Sequence, residues 1–185
     1  AEAEEKKRQA TEAASQQFAA PQQRQGGSPL TPELLGKVED ALSQADLSNL
    51  VRRQSVCAMV GRAAPQQVST ELFVSIADLR ATLIPNVNFT SSPWLFQHMT
   101  ETLDRRVLSL LSKNDDRSLT QDFSVNLNVA TLLSPEFLKF DDNVRSASRG
   151  TIVIELQKAD IFYDLGAYMF ARDFVHERGY RICID

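Results

Sequence analysis

The end of the chain has the clearest alternation of apolar and polar positions. Thr151-Ile152-Val153-Ile154 is a short apolar run that reads as a buried strand and delivers Glu155 at its C-terminal end. Phe162, Leu165, Met169, Phe170, Phe174 and Val175 follow at roughly helical spacing, which predicts a helix with these side chains facing inward. Gly179 stops that helix, and Tyr180-Arg181-Ile182-Cys183-Ile184 reads as a second buried strand that ends at Asp185. Strand, helix, glycine and strand make a βαβ unit, which implies parallel strands and a right-handed crossover. Each strand presents an acid where it ends, and the C-terminal ends of parallel strands are where α/β proteins place their chemistry.

Upstream the same logic gives a series of elements. Thr31-Pro32-Glu33-Leu34 opens a helix, with Thr as N-cap, Pro at the first position and an acid in the first turn. Leu34, Leu35, Val38, Ala41, Leu42 and Ala45 supply its apolar face. Gln54 to Val60 is a short strand bounded by Gly61, and Glu71 to Ile76 is a second, close enough in sequence to form a hairpin with it. Ala77 to Phe89, with Pro85 and two Asn residues, reads as irregular. Pro93 to Leu111 is a helix with Leu95, Phe96, Met99, Leu103, Val107, Leu110 and Leu111 facing in. Asn114 to Thr120 is a charged loop, Phe123 to Leu127 a third strand, and Ser134 to Phe140 a helical stretch.

Residues 1 to about 20 carry Ala, Glu, Lys and Gln with almost no large apolar side chain, and Pro21 to Pro29 is a linker by composition. The expected organisation is a helical or disordered extension and linker over residues 1–27, then an α/β domain over 28–185. Both ends of the chain look cut rather than natural.

Composition narrows the function classes. At 185 residues, 43% hydrophobic and with ten Phe, the chain can build one real core. A net charge of −4 gives no reason to expect DNA or a membrane surface as partner. No apolar run is long enough to span a bilayer and no signal peptide is visible, so a cytoplasmic location is expected, with membrane attachment only through an anchor upstream. Cys57 and Cys183 lie in apolar, strand-like runs and read as buried reduced thiols. His98 and His176 lack a second His or Cys at ligand spacing and read as surface residues. Arg105 and Arg106 read as an exposed ion-pair face, and Trp94 as a packing residue at a helix entry.

Six short segments, in order, resemble the EAL domains, a family of cyclic di-GMP phosphodiesterases and their inactive relatives. Gln54-Ser55-Val56 is similar to the family's first-strand Gln-Pro-Ile, and Glu71-Leu72-Phe73 stands where the name-giving Glu-Ala-Leu would be. Leu103-Asp104-Arg105-Arg106-Val107-Leu108 resembles the helix motif Leu-Asp-x-x-Val-Leu. Val125-Asn126-Leu127-Asn128 resembles Val-Asn-Leu-Ser, and Ile154-Glu155-Leu156 resembles Leu-Glu-Ile-Thr. Gly179 to Asp185 is similar to the strand Gly-Val-Arg-Ile-Ala-Leu-Asp-Asp. The resemblance covers residues 50 to 185.

It implies the N-terminal portion of a modified (βα)8, TIM-barrel-like fold whose first strand runs antiparallel to the rest. It further implies a two-metal site in which Glu71, Asn126, Glu155 and Asp185 would be metal ligands and Gln54 would contact the nucleotide. Mg²⁺ or Mn²⁺ ions need hard oxygen ligands, and a pair of them can activate water for in-line displacement at a phosphodiester.

The departures point away from catalysis. The family's phosphate-holding Arg is Ser75 here, the Pro of the first motif is Ser55, and the acid three residues after the fourth-strand Glu is Lys158. The second Asp, the later Lys and the later Glu of the family would fall beyond Asp185, so about five of eight strands are expected. The reading that follows is a non-catalytic signalling or scaffolding domain that engages a protein partner or itself, with no cofactor expected and with cyclic di-GMP sensing as a residual property. Glu71, Asn126, Glu155 and Asp185 are then strand-end polar residues left in a domain that has lost its chemistry. The alternative is a metal-dependent cyclic di-GMP phosphodiesterase completed by residues beyond the chain end. A generic α/β hydrolase has less support, because no phosphate loop, nucleophile elbow or zinc motif is present.

Overall fold

The computed structural model describes residues 27–83, 85–113 and 122–185. The expected N-terminal extension, most of the linker and the charged loop after residue 113 lie outside the described residues. Strand β1 (Ser28–Pro29) comes first, where the sequence suggested the end of a linker. Helix α1 (Pro32–Gln44) starts as expected: the Thr31 hydroxyl accepts the Leu34 N–H, and Leu35, Val38 and Leu42 are buried. Strands β2 (Val51–Ala58) and β3 (Gln66–Val74) pair antiparallel as a hairpin.

Helix α2 (Ile76–Leu83) occupies much of the stretch expected to be irregular. The signal missed was its cap. The Ser75 hydroxyl accepts the Asp78 N–H, and Asp78 in turn accepts a 2.9 Å hydrogen bond from Arg52. Strand β4 (Val87–Asn88) then pairs with β1, and helix α3 (Pro93–Lys113) runs as the spine of the molecule. Beyond it come β5 (Phe123–Asn126), α4 (Val129–Leu132), α5 (Pro135–Asn143), α6 (Ser146–Arg149) and β6 (Ile152–Leu156). Helices α7 (Lys158–Tyr163) and α8 (Leu165–Glu177) lead to β7 (Arg181–Ile184).

The main sheet has the order β2-β3-β5-β6-β7, with only β2 antiparallel to its neighbour. The protein is therefore of mixed α/β class with a mostly parallel central sheet. The register divides this sheet into two unlike faces. Leu72, Phe123, Val125, Ile152, Ile154 and Leu156 share one face and are buried together with Phe137, Phe140, Ala171 and Val175 of the helices. Glu71, Phe73, Ser124, Asn126, Val153 and Glu155 share the other face, and none of them belongs to that core.

A second core lies under α1, where Leu35, Val38 and Leu42 pack with Leu79, Phe89, Leu95 and Met99. Helix α3 joins the two cores, giving Met99 and Leu103 to one and Val107, Leu108 and Leu111 to the other. Below the sheet, buried Asp141 pairs with Arg149 at 2.9 Å and Arg178 at 3.2 Å, and accepts the Tyr180 hydroxyl at 2.8 Å. This network ties α5, α6, the end of α8 and the entry to β7 together. Burial and the Asp141 hydrogen bond both push the Tyr180 phenol upward.

Four sequence expectations are corrected. The single helix after β6 is two, broken at Asp164, whose carboxylate accepts the Ala167 N–H and caps α8. Its assumed inward stripe mostly faces out: Phe162 is 78% exposed, Phe170 66%, and Leu165 and Met169 are also exposed. Of that stripe Val175 is buried and Phe174 packs beside the core as expected, while Ala171, outside the stripe, is also buried and Ala167 and Tyr168 pack beside it. Both cysteines are exposed, Cys57 on edge strand β2 and Cys183 on the uncovered face of β7. Trp94 is exposed as well, because Leu95 and Met99 take the inward positions of that turn. His98 and His176 are exposed as expected. Arg105 meets Glu101 at 3.6 Å, whereas half-buried Arg106 donates to the Ala45 carbonyl.

Truncation should distinguish the two kinds of Phe. Phe137→Ala in the core is expected to cost about 3–5 kcal/mol, and Phe170→Ala on the outer face about 0.5 kcal/mol or less. Urea denaturation measures both. Equal losses would show that α8 is turned the other way.

Candidate functional site

The residues singled out by the sequence meet at the C-terminal ends of the parallel strands. Register sets Gln54 opposite Glu71, and Asn126 opposite Glu155. The Asn126 amide donates to the Glu71 carboxylate at 3.1 Å across the β3–β5 gap. Asp185 follows β7, where its backbone N–H donates to Leu156 and its carbonyl accepts from Lys158, and its carboxylate accepts from Gln157 at 3.3 Å. The five candidates thus share one face, and among the described residues Glu71 and Asn126 are the pair of them joined by a side-chain hydrogen bond. Among the described residues no group of three or more His, Cys, Asp or Glu side chains stands close enough to hold a metal ion. A two-metal centre needs several hard oxygen ligands around each ion.

A cleft of about 670 Å³ opens at these strand ends. Phe73, Ile76 and Phe96 form an apolar wall, while Glu71, Asn126, Asp160 and Asp185 supply polar groups. Among the described residues no Lys, Arg or His side chain lines it. The position of Ser75, where the resemblance would have placed a phosphate-binding Arg, is used to cap α2.

Two buried carboxylates hold the turn that leaves β5. Asn128 is the N-cap of α4 but makes no capping bond with its own side chain. Asp104 from α3 does that work: one of its oxygens accepts the Asn128 backbone N–H and side-chain amide, each at 2.7 Å, and the Thr131 hydroxyl at 3.0 Å. Asp160 from the first turn of α7 accepts the next backbone N–H, that of Val129, with its other oxygen held by Gln97 at 2.7 Å. Consecutive amides are therefore gripped by carboxylates from two different helices, which satisfies donors that a helix start leaves open. Burial pushes the Asp104 carboxyl up to about 7, against the pull of its hydrogen bonds, and the nearby Asp160 charge pushes the same way. Burial also raises Asp160.

Sequence reading quoted Asp104 only as part of a helix motif and passed over Asp160. A signal was present, since Gln97, Thr100 and Asp104 recur at helical spacing as a polar stripe beside Phe96, Leu103 and Val107. Nothing local marks Asp160, which acts on a residue 31 positions away.

No family model matches the chain, and no curated protein matches it.

The pH dependence of stability follows from Asp104. Its carboxyl binds a proton more readily folded than unfolded, so between about pH 4 and pH 7 stability should fall as pH rises. The full swing is at most about 4 kcal/mol for a shift of roughly three units. Asp104→Asn should flatten that slope in urea titrations across the window. An unchanged slope would mean that Asp104 is ionised at low pH in the native state.

Proposed function

We propose that this chain is a degenerate EAL-like domain that works as a cytoplasmic signalling or scaffolding module, holding a protein partner rather than hydrolysing cyclic di-GMP. The observation that carries the reading is the outer face of α7 and α8. Phe162, Tyr163, Leu165, Met169 and Phe170 are all exposed within one short span. Apolar groups clustered in this way on an otherwise well-packed domain are the usual mark of a surface that another molecule covers. The sheet order, with its antiparallel first strand, supports an EAL-like origin and the N-terminal portion of a barrel. Among the described residues the cleft lining carries none of the basic groups expected around a phosphodiester.

The second reading is a metal-dependent cyclic di-GMP phosphodiesterase, favoured by the Glu71–Asn126 contact and by Glu155 opposite Asn126 on the next strand. Hydrolysis of cyclic di-GMP in Mn²⁺ or Mg²⁺ separates the two. The scaffold reading predicts no turnover above the protein-free rate. Turnover that disappears in both Glu71→Gln and Glu155→Gln would replace it with the enzyme.

A further inference from the structure

The net charge of the whole chain hides a local exception. Between Asp46 and Glu71 the sequence has no acid but three arginines, Arg52, Arg53 and Arg62, in a chain that carries 24 acidic residues. This stretch forms the β2–β3 hairpin and the short turn before it. Strand β5 pairs with β3 over Thr70–Leu72 alone, so the half of the hairpin from Val56 to Ser69 stands beyond the end of that pairing. Every residue from Met59 to Val68 is exposed. The tip is closed by a tight turn, in which the Ala63 N–H donates to the Val60 carbonyl at 3.1 Å and Gly61 takes a φ of +59°. From Met59 to Pro65 each residue is apolar or glycine apart from Arg62. Met59 is 71% exposed and Val60 64%, with Val56 and Val68 exposed behind them.

We propose that the tip of the β2–β3 hairpin seats itself on an anionic lipid bilayer, with Met59 and Val60 entering the boundary between headgroups and acyl chains and Arg62 meeting lipid phosphates. This goes beyond the protein-contact reading and does not rest on it. A projecting apolar tip with one cation and no acid suits an interface that is apolar within and negatively charged at its surface. An acidic protein would attract Arg62 equally, but it would leave Met59 and Val60 in water unless it held a pocket shaped for them. The turn hydrogen bond holds Val60 and Arg62 on one short loop, so the apolar and basic groups are presented together with little left to order on binding. Arg52 is already paired with Asp78 at 2.9 Å, and Glu71 lies across from Gln54, away from the tip. The electrostatic part of the contact therefore falls on Arg62. Two apolar side chains and one cation make a weak, salt-dependent contact that adds to another attachment rather than replacing it.

Sedimentation of the full chain with lipid vesicles tests the contact. Binding is expected to vesicles of equal parts phosphatidylcholine and phosphatidylglycerol, to be absent from pure phosphatidylcholine, and to fall as salt rises. Arg62→Glu and Met59→Asp should each weaken it about tenfold. Phe170→Ala, on the exposed face of α8, should leave it unchanged. A polarity-sensitive fluorophore on Met59→Cys, with Cys57 and Cys183 changed to Ser, should shift to the blue on the mixed vesicles, a signal that a merely misfolded variant would give without lipid. No binding to the mixed vesicles at millimolar lipid, equal binding to pure phosphatidylcholine, or binding indifferent to both tip variants overturns the proposal. Retention on poly-glutamate without vesicle binding would also overturn it, and would assign the tip to an acidic protein instead.

Discussion

The turn after β5 is where the structure has least freedom. Its two leading amides are buried and cannot find water, so they must be satisfied by protein. Asp104 and Asp160 satisfy them from α3 and α7. Because these helices come from opposite sides of the strand in sequence, the contact also fixes how α3 and α7 meet above the sheet. Asn126, two residues before the turn, is thereby held beside Glu71. The cost is a desolvated carboxylate, visible in the raised affinity of Asp104 for its proton.

The division of the sheet into two faces sets what the molecule can do. One face is closed by Phe137, Phe140, Ala171 and Val175 and supplies the stability. The other keeps Glu71, Asn126 and Glu155 at half-buried positions outside that core. Glu71 and Glu155 stand on strands separated by β5, beside a cleft whose described lining carries no Lys, Arg or His. The exposed apolar span of α7 and α8, from Phe162 to Phe170, is the surface on which the proposed protein contact rests.

Much of the fold was legible because its signals are local. The β2–β3 hairpin, the Thr31 cap, the α3 stripe and the short parallel strands each follow from spacing within a few residues. Misreadings arose where tertiary context chose between two local solutions. In the segment from Phe162 to Val175, spacing picked Phe174 and Val175, which do face the core, together with Phe162, Leu165, Met169 and Phe170, which face out. Cys57 and Cys183 sit in apolar runs whose strands lie at the sheet edges, so burial did not follow from composition. In the candidate site, Glu71 and Asn126 could be picked out by resemblance. The Asp104–Asn128 and Asp160–Val129 bonds join distant segments, and no sequence period records them.

The central claim is that this strand-end cleft no longer receives cyclic di-GMP and that the domain acts through protein contact. Calorimetric titration of cyclic di-GMP into the full chain, with and without Mg²⁺, tests it most directly. The account predicts no saturable heat in either condition. Saturable heat at micromolar affinity or tighter would contradict it, and would make Glu71, Asn126, Glu155 and Asp185 members of a working nucleotide site.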